Sequence, residues 1–282
     1  MLKKTIPALL FLLSFNSCSM LVSLRFVTWN IRFDTPADGI NQWPNRKDKV
    51  AGLLQKLDPD IFGVQEALHN QIKDLETLLP AYAWYGAGRD DGLADGEYSA
   101  IFFKKEKFKL LQSGTFWLSE TPDVPGSKSW DAAITRICSW VQLQEKTTGK
   151  RFFVFNTHFD HIGKTARLES MKLLANKIGA IADNGFFVLM GDFNFEPSAA
   201  PYQIVNDTAR WNIRDAYLIA EKNATQKPCT WTGFSVKDAE CARIDYIFTK
   251  EKIKVKTYDT VTENDGSHFP SDHLPVMADL SL

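Results

Sequence analysis

Apolar residues along the chain fall into three spacings. Continuous runs at Phe186–Met190, Ile61–Val64 and Phe152–Phe155 have the pattern of strands buried on both faces. Alternation from Ile134 to Leu143 predicts a half-buried strand. Recurrence at three and four residues predicts helices. The first carries Val50, Leu53, Leu54 and Leu57, starts with Asn45 as its cap and ends at Asp58-Pro59. The second carries Ile72, Leu75, Leu78 and Leu79 and stops at Pro80. The third places Leu168, Met171, Leu174, Ala175, Ile178 and Ile181 in one stripe, with Asn184-Gly185 as its stop. Further strands are expected at Leu24–Trp29, Tyr98–Phe103, within Phe108–Leu118, at Arg243–Phe248 and at Val276–Leu280. The segment holding Trp43, the stretch Tyr82–Gly96 and the Pro-containing stretch Ser119–Asp131 read as loops. Several strands follow one another without a helix between them, which disfavours a barrel of regular βα units. The expected fold is α/β (α+β), a four-layer sandwich of two mixed β-sheets packed face to face with helices outside.

Composition adds little to that picture except at the N-terminus. With 44% hydrophobic and 24% charged residues, the 282-residue chain is ordinarily globular. No repeat or linker divides it, so a single domain is expected over residues 23–282. Residues 1–20 differ from the rest: Lys3 and Lys4 precede an apolar run, Ile6–Phe15, and small polar residues follow. That is the layout of a signal peptide, too short to span a bilayer as a helix. The expected location is therefore periplasmic, at the outer membrane or cell surface, or in the medium. Cys18 follows Ser17 at a cleavage point and is the expected site of lipid attachment to a membrane, with simple cleavage as the alternative. Export implies an oxidising compartment. Cys229 and Cys241 flank a short loop and are candidates for a disulfide, while Cys138 in an alternating apolar stretch reads as a buried thiol. The 33 basic residues less Lys3 and Lys4, against 34 acidic ones, leave a charge of about −3, which argues against gripping long nucleic acid by its phosphates.

Candidate chemistry collects where the predicted strands end. The run Phe186–Met190 breaks at Gly191 and presents Asp192 and Asn194. Polar groups in the same position occur at Asn30, at Glu66, in the cluster His158, Asp160 and His161, at Asp245, and at Asp272-His273. Each alone has a plain alternative as a turn, cap or surface residue. Asp245 within an apolar strand is the hardest to dismiss, because a buried carboxylate is costly without a partner, and His273 is the obvious one. The mixture suits phosphate-ester hydrolysis, which needs an attacking water, stabilisation of charge on the phosphoryl oxygens and help for the leaving oxygen. Glu66 with one or two further oxygens would hold a hard cation such as Mg²⁺. No thiolate or multi-histidine spacing suggests zinc, and no phosphate-cradling glycine motif or Gly-x-Ser-x-Gly elbow is present.

The ordered set Trp29-Asn30, Gln65-Glu66, Asn156-Thr157-His158, Gly191-Asp192-Phe193-Asn194, Arg243-Ile244-Asp245-Tyr246 and Ser271-Asp272-His273 resembles the endonuclease/exonuclease/phosphatase superfamily over residues 24–282. That superfamily includes deoxyribonuclease, apurinic endonucleases, neutral sphingomyelinases, inositol-polyphosphate phosphatases and deadenylases. The resemblance implies Glu66 as principal ligand of Mg²⁺ (or Mn²⁺), with Asn30 beside it and Asp272 as a second acidic group near the metal. It implies His273, oriented by Asp245, as general base or phosphate-contacting imidazole. Asp192 would position or activate water, and Asn194 and His158 would hold the phosphate. Asn156, Asp160 and His161 are their neighbours in the motifs. Arg136 and Arg167 are added as candidate phosphate contacts, with ordinary salt bridges as the alternative. The chain departs from the apurinic endonucleases in carrying Arg32 where those have an acidic residue, which speaks against abasic-site cleavage.

The expected protein is thus a Mg²⁺-dependent phosphoesterase, first a nuclease or other phosphodiesterase. The alternative is a phosphatase of a sugar, inositol or lipid phosphate. A binding protein without turnover stands third, disfavoured because a binder has no need of an oriented Asp–His pair. The substrate partner is a nucleic acid or a small phosphorylated molecule; no protein partner is evident. The stretch Phe116–Pro122 resembles deadenylase-like members, and Trp117 and Trp130 are either base-stacking or loop-packing residues.

Overall fold

Two stretches of the chain build the same unit, a strand, a helix and a second strand parallel to the first. In the computed structural model, which describes residues 21–205, 212–226, 228–237 and 241–282, one unit is β1 (Ser23–Asn30), α1 (Trp43–Leu57) and β2 (Ile61–Ala67). The other is β7 (Arg151–His158), α3 (Lys164–Ala182) and β8 (Phe186–Asp192). β1 pairs parallel with β2, and β7 with β8. β2, β7 and β8 contain the near-continuous apolar runs of the sequence, as burial on both faces requires, whereas β1 mixes Arg25 and Thr28 with its apolar residues.

Each parallel pair lies inside a mixed sheet. Around β1 and β2 lie α2 (His69–Leu78), β3 (Tyr82–Tyr85), β4 (Tyr98–Lys104), β10 (Lys222–Asn223), β12 (Lys254–Thr260) and β13 (Val276–Ser281). The sheet order is β10-β12-β13-β1-β2-β4-β3. Around β7 and β8 lie β5 (Phe108–Trp117), β6 (Ile137–Glu145), β9 (Ile213–Asp215) and β11 (Asp245–Lys250), in the order β5-β6-β7-β8-β11-β9. Two short helices, α4 (Ala200–Val205) and α5 (Ala216–Ile219), complete the elements.

Three apolar layers separate four structural ones. Phe26, Val141, Val154, Val188, Ile247 and Ala278 meet between the sheets. Trp29, Trp43, Leu54, Ile72 and Phe102 pack the first sheet against α1 and α2. Phe155, Met171, Leu174, Ile178 and Phe193 pack the second against α3. The fold is therefore the four-layer sandwich expected from the order of the elements. A polar tie at Asn156 crosses the central layer. Asn156 donates to the carbonyls of Val64 and Ala100 at 3.0 and 2.9 Å and accepts from Gln65 at 2.6 Å. Gly63 makes room for it, since a Cβ there would stand 2.7 Å from Asn156 Cγ.

Several local expectations are corrected. Asn45 is not the cap of α1: the helix starts earlier, at Trp43-Pro44, where proline's fixed φ suits the first turn, and Asn45 Nδ2 donates to Ile40 O. Trp43 is buried rather than in a loop and donates to Asp74 on α2. Tyr82–Tyr85 is an edge strand on β4. β12 escaped because a bulge between Val255 and Thr257 moves its inward face from odd to even positions, breaking the alternation. Cys229 and Cys241 form a disulfide, and Cys138 is buried. The expected signal peptide and Cys18 lie outside the described residues, among which no helix is long and apolar enough to cross a membrane.

Candidate active site

Parallel pairing brings the C-terminal ends of β1 and β2 to one edge of the sandwich, and those of β7 and β8 to the same edge. Asn30, Glu66, His158 and Asp192 stand there. β11 runs antiparallel to β8 and starts where β8 ends, so Asp245 pairs directly with Asp192. The loop before β13 brings Asp272 and His273, fastened to β1 by Trp29 Nε1 donating to His273 O (2.9 Å) and Ser271 Oγ donating to Asn30 O (2.7 Å).

These side chains interlock. Asn30 Nδ2 donates to Glu66 Oε1 at 2.9 Å and to Asp192 Oδ2 at 3.0 Å, while its Oδ1 accepts from Arg32 N. Glu66 has φ of 64° beside a bulge between Val64 and Ala67, which re-aims it from the sheet face toward the cleft. His273 Nδ1 donates to Asp245 Oδ2 at 2.8 Å, which leaves Nε2 facing Asp192 Oδ2 at 3.7 Å. Asn194 adopts a left-handed conformation that asparagine tolerates, with φ of 51°. Its Nδ2 donates to Phe159 O and to His158 Nε2, both at 3.0 Å. His158 Nε2 is thus an acceptor there, and its Nδ1 carries the proton toward Glu97 Oε2, 3.8 Å away.

Burial and mutual charge shift the floor of the site strongly. Burial, then the charge of Asp245, raise the Asp192 carboxyl to about 7, against the pull of His273 and the Asn30 hydrogen bond. Burial opposes a charged His273, but Asp245 and Asp192 outweigh it and hold the imidazole well above its ordinary value. His158 goes the other way: burial, then Arg136 and Arg89, push it well below, so it stays neutral. Such opposed shifts in adjacent groups separate an acid from a base.

Above this floor is a cleft of about 460 Å³, walled by Phe33, Ile134, Trp231 and Ile244 as well as by the polar groups. Glu66 and Asp272 both line it, and burial and Glu66's charge raise the Asp272 carboxyl. Two carboxylates in mutual repulsion, with the Asn30 amide steering one of them, form an oxygen donor set that fits a hard divalent cation. Arg32 is a nearby protein cation: its Nε and Nη2 donate to Asp38, and its Nη1 stands 3.8 Å from Glu66 Oε2.

Not every expected residue reaches the cleft. Asn156 is consumed by the inter-sheet tie described above. Asp160 accepts backbone N–H groups of Ala133, Ile134, Ile162 and Gly163 and so shapes a loop. Arg167 donates to Asp160 O and does not line the cleft. Arg136 and His161 do line it, 3.3 Å apart. Trp117 is 4% exposed and donates to Arg89 O, which makes it a packing residue. Sequence reasoning missed Glu97, Arg89 and Arg46. Arg46 donates to carbonyls of Ile31, Arg32, Asn41 and Pro270, tying the loop after β1 to the loop that carries His273. Helical spacing is the signal that could have found it: Arg46 stands four residues before Val50, in line with the apolar stripe of α1, where a charged residue is buried with its partners.

Comparison with known proteins agrees with this construction. A family model described as Endonuclease/Exonuclease/phosphatase family matches residues 27–273. An endonuclease/exonuclease/phosphatase from Bacteroides vulgatus is 40% identical, with 93% of this chain and 99% of that one covered and a TM-score of 0.88. A mannosyl-6-phosphatase from Bacteroides thetaiotaomicron is 38% identical over 91% of this chain and 99% of its own, with a TM-score of 0.86. The D. rerio TDP2, solved with a single-strand DNA product, shares the fold at 16% identity, 92% and 98% coverage and a TM-score of 0.71.

Proposed function

The chain belongs to the Endonuclease/Exonuclease/phosphatase family and is a hydrolase of phosphate esters; from that premise we propose that its substrate is a sugar phosphate, cleaved as a monoester. The observation that carries the reading is the cleft. Its floor holds the oriented Asp245–His273 pair, Asp192, Asn194 and His158, and its walls hold Phe33, Ile134 and Trp231. A recess of about 460 Å³ suits one small ligand, and apolar walls match the C–H faces of a sugar ring. The 38% identity to a mannosyl-6-phosphatase over nearly all of both chains supports it. The phosphodiesterase reading that the motifs alone favour loses support, because Trp117 is packed and the chain carries no net positive charge. The proposal includes export, which rests on the signal-like residues 1–20.

The residues divide the work as follows. Glu66 and Asp272, with Asn30 orienting Glu66, would hold Mg²⁺ or Mn²⁺. When bound, that cation supplies Lewis-acid stabilisation of charge on the phosphoryl and leaving oxygens. Asp192, with its carboxyl near neutrality, takes the proton of the attacking water. His273 is held as imidazolium by Asp245 and donates through Nε2 to a phosphoryl oxygen, placing positive charge where negative charge develops. Asn194 fixes the His158 tautomer, and the two side chains frame the opposite side of the phosphoryl group. Water attacks in line, without a covalent intermediate.

The test compares hydrolysis of mannose 6-phosphate with that of bis-p-nitrophenyl phosphate and a single-stranded oligonucleotide, with Mg²⁺, Mn²⁺ or chelator. Cation-dependent release of phosphate from the sugar ester, lost in Glu66→Gln and His273→Ala, is the expected result. Faster turnover of the diester or the oligonucleotide would replace this reading with the phosphodiesterase one.

A further inference from the structure

Three residues unused by the hydrolysis just described, Asp160, Arg167 and Arg136, all act on a fourth, His161. Asp160 accepts from Ile162 N at 2.9 Å and Gly163 N at 2.6 Å, just past His161, and from Ala133 N and Ile134 N of the facing loop. Arg167 donates to Asp160 O at 2.8 Å. Both flanks of His161 are thereby pinned, while the residue itself is exposed and lines the cleft. Arg136 Nη2 stands 3.3 Å from His161 Nδ1. A guanidinium has no acceptor, so Nδ1 accepts, and the neutral ring carries its proton on Nε2, turned away from the guanidinium. Partial burial, then the Arg136 charge, hold this imidazole below its ordinary value. Arg136 itself borders a void of about 10 Å³, too small for any ligand larger than water. Contacts run in a row from the floor to this ring. Asp192 Oδ2 lies 3.3 Å from His158 Nε2, His158 Nδ1 lies 3.8 Å from Glu97 Oε2, and that oxygen lies 3.7 Å from Arg136 Nη1. Asp192 and His161 are the two ends of the row.

We propose that His161 is a catalytic residue that donates a hydrogen bond from Nε2 to the leaving oxygen of the ester, with Arg136 as the positioning residue that fixes its tautomer. The proposal rests on the in-line attack set out above and adds a donor on the leaving side; it holds for a monoester or a diester. In-line displacement puts the entering and leaving oxygens on opposite sides of phosphorus. A phosphoryl group seated over His158 therefore has its entering oxygen toward Asp192 and its leaving oxygen toward His161. The P–O bond breaks with its electron pair on the leaving oxygen. His161 keeps its single proton, because the guanidinium at Nδ1 disfavours an imidazolium that could transfer one. The alkoxide takes its proton from water at the open mouth of the cleft. A donor already fixed in place stabilises the negative charge as it develops, without reorganising.

The experiment measures kcat/KM with Mg²⁺ for mannose 6-phosphate, for aryl phosphates whose phenols range in acidity up to p-nitrophenol, and for methyl diesters of the same aryl phosphates. These are read in the wild type, His161→Ala, His161→Gln and Arg136→Gln, with thermal melts to confirm folding; His161 is exposed, so its variants do not depend on repacking the core. A p-nitrophenolate leaves as a stable anion and needs no donor, whereas a sugar alkoxide does. In His161→Ala, kcat/KM for mannose 6-phosphate falls about 100-fold, the usual loss for one donor to developing charge, and that for p-nitrophenyl phosphate falls less than about fivefold. The rates therefore depend more steeply on phenol acidity than in the wild type. His161→Gln keeps an N–H donor and recovers about tenfold of the loss. Arg136→Gln shows the same selectivity and adds nothing to it in the His161→Ala background. Equal losses on the sugar and nitrophenyl esters would put His161 on a phosphoryl oxygen or in the fold alone and overturn the proposal. A mannose 6-phosphate rate unchanged by His161→Ala would overturn it too. A wild type that turns over only the diesters ends the sugar-phosphatase reading, and the diester series then decides this one: a dependence on phenol acidity unchanged in His161→Ala overturns it.

Discussion

Asp245→Asn is the substitution that most directly probes how the floor of the cleft works. Asp245 is fully buried, and its Oδ2 accepts from His273 Nδ1 at 2.8 Å. At that separation and an effective dielectric of about 20, the attraction between carboxylate and imidazolium is about 6 kcal/mol gross. Asparagine keeps a carbonyl oxygen that can accept the same hydrogen bond, so roughly half of this is lost, about 3 kcal/mol of support for the charged imidazole. If that support acts in the transition state, kcat falls roughly 10²-fold. The new amide nitrogen would lie where Asp245 Oδ1 now has no partner, which leaves a buried donor unsatisfied at about 1–3 kcal/mol of stability.

The pH dependence gives an independent readout with a definite sign. Although burial opposes it, Asp245 and Asp192 raise His273 above its unfolded value. A raised base is favoured by the fold in its protonated form. Its contribution is complete below the unfolded value of about 6.5 and is lost as pH climbs through the higher folded value. Removing the Asp245 charge lowers that folded value, so the alkaline limb of kcat/KM moves toward neutral pH, and the alkaline decline in stability starts earlier. The assay is steady-state hydrolysis of mannose 6-phosphate from pH 5 to 10 beside thermal melts over the same range. A variant with kcat within fivefold of the wild type and an unmoved alkaline limb would refute both the electrostatic role of Asp245 and the imidazolium state of His273.

Three further outcomes follow from the packing. Gly191→Ala should give no stably folded protein by circular dichroism, because φ of 146° strains an L-residue and a Cβ there drives into the Thr157 carbonyl. Arg243→Met should lower stability by about 3–5 kcal/mol in urea unfolding: its guanidinium binds both oxygens of buried Asp215 between the rings of Tyr217 and Tyr246, and Asp215 would be stranded without charge compensation. Cys229→Ser should cost about 3 kcal/mol, the loop-closure value for a disulfide spanning 12 residues, and should raise KM more than it lowers kcat, since the loop it closes carries Trp231.

Much of the fold was legible because its central strands obey the simplest rule. β2, β7 and β8 carry runs that are apolar on both faces and can only be interior, and the helices that follow β1 and β7 show a single apolar stripe. The edges were less legible. Tyr82–Tyr85 and Lys254–Thr260 carry short or bulged patterns whose strand character comes from pairing with β4 and β13 rather than from local spacing. Asp160 shows the converse limit. A carboxylate between two histidines in a motif looks like chemistry, yet it spends its oxygens on four backbone N–H groups that hold a loop in shape.

The same distinction explains why the motifs speak to reaction type more clearly than to substrate. Asn30, Glu66, His158, Asp192 and Asp245 sit at strand ends, and their convergence follows from which strands run parallel. Any chain that builds these two strand–helix–strand units with these residues acquires the floor. The walls come from elsewhere: Phe33 after β1, Glu97 just before β4, Ile134 and Arg136 before β6, and Trp231 inside the disulfide loop. These loops have no shared period, and nothing in their spacing says that they meet. A change in any of them can alter what fits above Asp192 without moving Asp192, because the floor is fastened independently by Asn30, Trp29, Ser271 and Arg46. Substrate choice in such a fold is therefore a property of side chains that only the folded chain brings together, as Phe33, Ile134 and Trp231 are here, whereas the hydrolytic chemistry is written at the ends of its strands.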